Sequence, residues 1–474
     1  MKSTVPVLAI LFLLLSVSIW LISCADDDDN DQADDDSSGD SDDDQVNDDD
    51  QTDDDAVDDD SADDDTSPWE PVEPHRETDG AFTIVWLTGT PYEMGQQQGQ
   101  LLHDELQAGI DWLNAMHLID ILLPIANWLG LTDLAMSNSY PDIVQECQGL
   151  VDTAGDTGWT MDVCMLLNFG DVLIEFLSYG FPPARAIAPG CTQVIAAGAA
   201  TTDGRLYHGR SLDWDKIDYL IDYPVIFVRQ PSDGIPHIYV GFPGNLSPYN
   251  GINAEGVSIA SDEADPFDKS FHDRTGHSHV QMLGQLLKKA HSLEEATSMI
   301  LAEDHMTVEI FAIADGKARQ GAVFEMTAKA LGVRPLQDDV VFTTNHFVAP
   351  ETEDADAEPP SSSSTLRFDR VKQLIPPDGE DTYYGAIEPE ILVQVLRDRI
   401  NPYTGQESGA DVFNNDLSIA TNGAIYQIVF DPENLWFWVA AGAIPVPQQP
   451  FVGFSLGELL NYSDAAPCEP EVFP

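Results

Sequence analysis

Residues Pro189 to Asp215 read PGCTQVIAAGAATTDGRLYHGRSLDWD, and the organisation of the chain follows outward from them. Cys191 stands between Gly190 and Thr192 and opens a short apolar run of strand character. Thr202-Asp203-Gly204 has the residue types of a turn, and a second strand-like run leads to Trp214. A hairpin folded about that turn returns Arg210 and Asp213 to the neighbourhood of Cys191. A thiol, a cation and a carboxylate gathered in one place can do chemistry, because a nearby cation favours the thiolate. Each residue also has a plainer reading. A single cysteine is often a small buried apolar side chain or half of a disulfide. Arg210 can serve in a surface ion pair, and Asp213 can simply end a strand.

The texture differs on the two sides of this stretch. Upstream, FTIVWLTGT (Phe82 to Thr90) reads as a buried strand. PYEMGQQQGQLLHDELQAGIDWLNAMH then changes to helical spacing, with Pro91 suited to a first turn and Glu93 near the helix end that favours an acid. Apolar stretches at 118–131, 143–153 and 161–177 predict more helices. Downstream, YPVIFVRQ, PHIYVGFPG and GVSIAS are short, β-branched or aromatic, and punctuated by Gly, Pro and Asn. One helix is predicted from about His279 to Glu303, then a hairpin of VEIFAIADG and QGAVFEMTA and a strand VVFTTNHF. A Pro/Ser-rich loop at 349–364 leads to a helix TLRFDRVKQLI, and IYQIVFDPENLWFWVAAG closes the chain as a hairpin turning at Asp431 to Asn434. Strands, helix and strands again predict layered sheets covered by helices, an α+β fold.

The N-terminus has a different character. Lys2 followed by an apolar run from Val5 to Ile22 describes a secretory signal over residues 1–23. Leu21-Ile22-Ser23-Cys24 resembles a bacterial lipobox, which implies lipidation of Cys24 and anchorage to a membrane; the competing reading is an uncleaved anchor helix. Either places the rest of the chain outside the cytoplasm, in the cell envelope. Ala25, where an aspartate would signal retention at the inner membrane, points to the outer membrane or the cell surface of a bacterium. Residues 24–67 form an acidic tether: between Asp26 and Asp65 there are 24 Asp and neither Lys nor Arg. Such a run repels itself and has nothing apolar to bury, so it is expected to be extended and disordered. Carboxylates suit Ca²⁺, but the run lacks the glycine and distal glutamate of an EF-hand loop. Taking those 24 charges from the net −63 leaves −39 elsewhere, which excludes nucleic acid as a natural partner. Five cysteines are present, and with Cys24 lipidated and Cys191 free, Cys147, Cys164 and Cys468 leave one over; Cys147 with Cys164 is one pairing.

Cys191-Thr192, followed about twenty residues later by GRSLDW, resembles the choloylglycine and penicillin V acylase group of N-terminal-nucleophile (Ntn) hydrolases. With PYEMGQQQGQLL ahead of it and TTNHF after it, the set is similar to the acyl-coenzyme A:6-aminopenicillanate acyltransferase-like proteins, a family of self-cutting cysteine peptidases. The resemblance covers most of the chain from Phe82 onward. It implies a four-layer αββα sandwich and self-cleavage between Gly190 and Cys191. The products would be a mainly helical segment, 68–190, and a catalytic part, 191–474. Cys191 would then be nucleophile and chain terminus together. A free α-amino group has a pKa of about 7.7–8.0, so it can accept the thiol's proton near neutrality. The resemblance further implies that Arg210 lies by the sulfur, that Asp213 holds the new amino group, that Asn345 donates to an oxyanion, and that Arg367 is a second active-site arginine. The plainer readings are a strand-end cap for Asn345 and a helix-surface position for Arg367.

One departure stands out. Where bile-salt-type relatives place an oxyanion asparagine, after a segment like GINAEGVSIAS, this chain has Ser261-Asp262-Glu263. The expected activity is cleavage or acyl transfer of a small-molecule or peptide amide through a Cys191 thioester, with no cofactor and no metal. Two competitors remain. One is a non-catalytic, surface-anchored ligand-binding lipoprotein on the same fold. The other is a papain-like thiol hydrolase using His346 or His208.

Overall fold

The computed structural model describes residues 71–170, 190–214, 217–264, 273–355, 362–408, 418–421 and 423–474. The expected signal, Cys24, the expected acidic tether and the end of the expected 161–177 helix lie outside them. The described residues all belong to one compact unit.

The strands are β1 (His75–Asp79), β2 (Phe82–Gly89), β3 (Thr192–Ala196), β4 (Tyr207–Asp213), β5 (Val225–Pro231), β6 (His237–Gly241), β7 (Asn250–Asn253) and β8 (Val257–Asp262). They continue with β9 (Glu309–Asp315), β10 (Gln320–Met326), β11 (Leu331–Pro335), β12 (Val340–Thr343), β13 (Ala424–Asp431), β14 (Trp436–Ala440), β15 (Phe451–Ser455) and β16 (Val472–Phe473). They make a nine-stranded sheet, β1-β2-β5-β6-β7-β8-β9-β10-β11, and a seven-stranded sheet, β12-β3-β4-β13-β14-β15-β16. The β2–β5 pair is parallel, which the long connection between them, the N-terminal helices followed by β3 and β4, allows.

Helices cover both outer faces. On the nine-stranded sheet lie α1 (Pro91–Leu101), α2 (His103–Ala115), α3 (Leu123–Trp128), α4 (Leu131–Ser137), α5 (Pro141–Ala154) and α6 (Met161–Asn168). They share this side with α7 (Asp218–Asp222), α8 (His279–Lys289) and α9 (Leu293–Ala302). On the seven-stranded sheet lie α10 (Ser362–Leu374) and α11 (Pro389–Leu396). Apolar side chains alternate between layers. In VIFV of β5, Val225 and Phe227 pack under the helices, while Ile226 and Val228 face inward. There they meet Leu212, Ile428, Phe437 and Val439 of the other sheet. The order is helix, sheet, sheet, helix, the four-layer sandwich expected above.

Two local features shape the helical layer. Thr90 and Glu93 form a capping box at the start of α1. Gly95 of α1 lies against α5 so closely that a Cβ would stand 2.0 Å from the Glu146 carbonyl oxygen, and Gly149 stands equally close to Tyr92. The glycine spacing in MGQQQG is thus a helix-crossing device. Cys147 and Cys164 are disulfide-bonded, joining α5 to α6; Cys191 and Cys468 are free and buried.

The predicted 279–303 helix is two helices. Ala290 turns extended after Lys289, and the Ser292 hydroxyl then accepts the Glu295 amide to start a second helix. Ser292-Leu293-Glu294-Glu295 is a start signal within a run whose apolar spacing continues across it. The 118–131 stretch is likewise broken, into a π-type turn at Leu118–Leu122, α3 and the start of α4.

Candidate active site

Strand geometry decides which groups meet. Gln193 of β3 lies opposite Arg210 of β4, and Thr192 opposite Ser211. Because side chains alternate, Cys191 and Arg210 share the face turned toward the other sheet. Thr192, Ser211 and Asp213 share the face turned toward α10. The sulfur of residue 191 and its backbone nitrogen therefore have different partners. The Thr202-Asp203-Gly204 turn forms as expected, with Gly204 at φ +75° and the Asp203 carboxylate accepting from Arg205 and Tyr207.

On the sulfur side, Cys191 is 2% exposed. Arg210 Nη2 lies 3.8 Å from Sγ and donates to the Ser261 carbonyl at 2.5 Å. Arg210 Nη1 donates to the Tyr426 hydroxyl at 2.8 Å, and Nε lies 3.9 Å from Asp262 Oδ1. Burial pushes the thiol well up; Arg210 pulls it back, while Asp262 and Asp213 add to the rise. In the uncut chain Cys191 is therefore held as the thiol.

On the nitrogen side, the Gly190 amide donates to the Asp213 carbonyl at 3.1 Å. Asp213 Oδ1 accepts from Ser211 at 2.5 Å, while Oδ2 is buried and lacks a well-formed hydrogen bond among the described residues, the Thr421 hydroxyl giving the carboxylate a weaker contact. A Cβ on Gly190 would stand 3.6 Å from that oxygen and 3.7 Å from Arg367 Nη2. Burial raises Asp213 to about 6, with Arg367 the strongest opposing influence. Arg367, on α10, donates from Nη1 to the Cys191 carbonyl and, at 3.1 Å, to Thr192 Oγ1. Its Nη2 donates to Asn345 Oδ1 at 2.8 Å. Asn345 follows β12, and its Nδ2 donates to the Glu263 carbonyl at 2.7 Å.

Gly190, Cys191, Arg210, Asp213, Asn345 and Arg367 thus come together from β4, α10 and the segments beside β3 and β12. The Asn345 amide, expected as an oxyanion donor, is engaged by Glu263 in the uncut chain. Neither candidate histidine hydrogen-bonds the thiol among the described residues. His208 sits between Ser258 and Gln193, and His346 against Ser364 and Thr344. Burial lowers them to about 3 and about 4, so both are neutral at pH 7.

Three further groups join the cluster: Tyr426, Asn250 and the buried carboxylate of Asp262. The only sequence signal for Tyr426 is a polar-tipped residue at an inward position of IYQIVF. Asp262 ends β8, is 1% exposed, and lacks a well-formed hydrogen bond among the described residues, with the Gln193 amide giving it a weaker contact. Burial raises it to about 7, against the pull of Arg210. Because it keeps its proton in the folded protein to about pH 7, while an exposed aspartate loses its own at about 3.9, the fold is favoured in acid and that advantage is lost as pH rises from about 4 to about 7. Asp262→Asn removes an anion that holds the thiol up. It is expected to lower the pH midpoint of Cys191 alkylation by about one unit; an unchanged or raised midpoint contradicts this account.

A sequence profile described as acyl-coenzyme A:6-aminopenicillanic acid acyl-transferase matches residues 200–443, just over half of the chain. The chain belongs to this acyl-transferase family. The matched span begins just after Cys191 and holds Arg210, Asp213, Asn345 and Arg367. An uncharacterized protein of Archaeoglobus fulgidus is 25% identical over 406 residues, covering 77% of this chain and 64% of that protein. The chain therefore spans less than two thirds of that relative's length. Solved structures similar to this acyl-transferase family member include a Caenorhabditis elegans N-acylethanolamine-hydrolyzing acid amidase ortholog, with 16% identity over 51% of this chain and 93% of that one and a TM-score of 0.35. The penicillin V acylase of Agrobacterium tumefaciens has 12% identity, 56% and 86% coverage, and a TM-score of 0.36. A conjugated bile acid hydrolase of Clostridium perfringens has 14% identity, 53% and 89% coverage, and a TM-score of 0.31.

Proposed function

We propose that the chain cuts itself between Gly190 and Cys191 and then cleaves, or transfers the acyl group of, an amide through a thioester on Cys191. The observation that carries this reading is Asp213 Oδ2, a buried oxygen beside Gly190 that lacks a well-formed hydrogen bond among the described residues and has only a weaker contact with the Thr421 hydroxyl. A buried acceptor left open is costly unless a donor arrives. An amino group released at Cys191 is such a donor, and the carboxylate would hold it with a charge-assisted bond.

For the cut, Cys191 Sγ adds to the Gly190 carbonyl carbon, the C–N bond breaks, and the thiol's proton ends on the Cys191 nitrogen. Water then hydrolyses the Gly190 thioester, releasing a carboxyl at Gly190 and restoring the thiol. In turnover, the α-amine accepts the Sγ proton as sulfur attacks the substrate carbonyl, and returns it to the departing amine. Water or a second amine resolves the acyl-enzyme, which is the branch between hydrolysis and transfer. Arg210 supports the thiolate, and Arg367 fixes the residue 191 carbonyl. The Asn345 amide serves the oxyanion only once it leaves the Glu263 carbonyl.

The protein is further read as an exported lipoprotein anchored through Cys24, held off the membrane by its acidic tether. Intact mass spectrometry of protein purified from the membrane tests both claims. The expected result is a fragment of about 31 kDa, from mean residue mass, beginning at Cys191, and a partner fragment ending at Gly190 with a lipid on Cys24. A single chain in active protein overturns self-processing, and an unmodified Cys24 overturns the anchor. A non-catalytic ligand-binding role is favoured by one feature, the burial of the thiol. Loss of activity on alkylation of Cys191 would exclude it.

A further inference from the structure

One hydroxyl at the centre of the cluster has no part in the scheme above. Tyr426, on β13, lies opposite Leu212 of β4, and its side chain fills the space between the sheets. Its oxygen accepts two hydrogen bonds, from Arg210 Nη1 at 2.8 Å and from Asn250 Nδ2 at 2.6 Å. Asn250 belongs to β7 of the other sheet and also donates to the Val240 carbonyl at 3.0 Å. The phenol is therefore pinned from both sheets. Burial raises it to about 12, so it stays neutral.

This matters for Arg210 because a guanidinium is planar and rigid, so fixing one arm aims the other. With Nη1 on the phenol, Nη2 faces Cys191 Sγ and the Ser261 carbonyl. The group has a competing attraction: Asp262 is buried 3.9 Å from Nε, with only a weak contact from the Gln193 amide to satisfy it. The charged groups that act on the thiol are Arg210, Asp213 and Asp262, and Arg367 holds the backbone beside it. Of these, Arg210 is the cation that draws the thiol toward thiolate, so its aim decides how reactive the sulfur is.

We propose that Tyr426 is a positioning residue for the nucleophile: acting through Arg210, its hydroxyl holds the guanidinium on Cys191 Sγ against the pull of Asp262. The inference rests on Cys191 being the nucleophile. Tyr426→Phe isolates the hydroxyl, because the ring that Arg210 overlies at 5.6 Å remains.

The test is the pH dependence of Cys191 alkylation by iodoacetamide in the full chain, cut and uncut, with kcat and KM where turnover is seen. In Tyr426→Phe the alkylation midpoint is expected to rise by about one pH unit. The value of kcat should fall roughly 10–100-fold, with KM changed less than about twofold. Adding Asp262→Asn should then lower the midpoint by clearly more than the about one unit that the same change gives beside an intact Tyr426, a coupling that a merely structural tyrosine would not show. A folded Tyr426→Phe protein with an unchanged midpoint overturns the proposal. If that variant does not fold, Asn250→Ala, which loosens the phenol from the other side, should raise the midpoint by a smaller amount, and an unchanged midpoint there overturns it too. Self-cleavage is read separately by mass, so its failure leaves the alkylation result standing on the uncut chain.

Discussion

Cys191→Ala protein is expected to remain one uncut chain and to lose amide-directed activity by about 10⁴-fold or more. The expectation follows from what lies near the Gly190 carbonyl. The hydroxyl next along the chain, Thr192 Oγ1, accepts from Arg367 on the opposite face of β3 and is no substitute for the thiol. Removing one sulfur from a 2% exposed position leaves a small cavity, costing about 1 kcal/mol. The variant should therefore fold, and its loss of activity should be chemical. Intact mass and turnover of the purified variant are the two readings. A variant that is still cut at 190 would mean that another nucleophile or an outside protease makes the break.

The second large effect concerns the fold. Arg229 of β5 and Glu146 of α5 form a two-pronged ion pair, at 2.8 and 2.6 Å, beneath the helical layer. Both are almost fully buried, and burial pushes the Glu146 carboxyl up despite its partner. Arg229→Met strands Glu146 in an apolar setting and is expected to cost about 3–5 kcal/mol in urea unfolding. Replacing both residues, as Arg229→Met with Glu146→Leu, should recover most of that loss, because the penalty lies in the unpaired charge rather than in the missing attraction. A single variant within about 0.5 kcal/mol of the parent would show that the pair contributes nothing to holding α5 on the sheet.

The parts of this site that were legible in the sequence are the local ones. Cys191, Arg210 and Asp213 lie on two strands joined by a recognisable turn, so period-two alternation and turn chemistry suffice to bring them together. Asn345 and Arg367 were reached only by resemblance, since nothing local says that a strand end and a helix will close over Cys191. Tyr426 and Asn250 could not be read at all. They meet each other across 176 positions, and Tyr426 meets Arg210 across 216; in sequence Tyr426 is one more residue of an apolar strand and Asn250 one more turn-type residue between strands. Asp262 was visible as a departure from its relatives, but its lack of well-formed hydrogen bonds depends on β8 burying its last residue. The helix that divides at Ala290 shows the opposite failure: its apolar spacing ran on, and a Ser-x-x-Glu start inside it was the stronger signal.

The Cys147–Cys164 bond has a consequence for molecularity. Both cysteines precede residue 190, so a chain cut there would have no covalent link between its halves. The first half carries β1, β2 and α1 to α6; the second carries the remaining fourteen strands of the two sheets. Contacts such as β2 on β5 and Glu146 on Arg229 would become subunit contacts. Folding begins as a first-order event in one chain, whereas re-forming the mature protein from separated halves would be second-order and would depend on concentration. The cut would thus convert a reversible fold into an assembly whose lifetime is set by the rate at which the halves come apart.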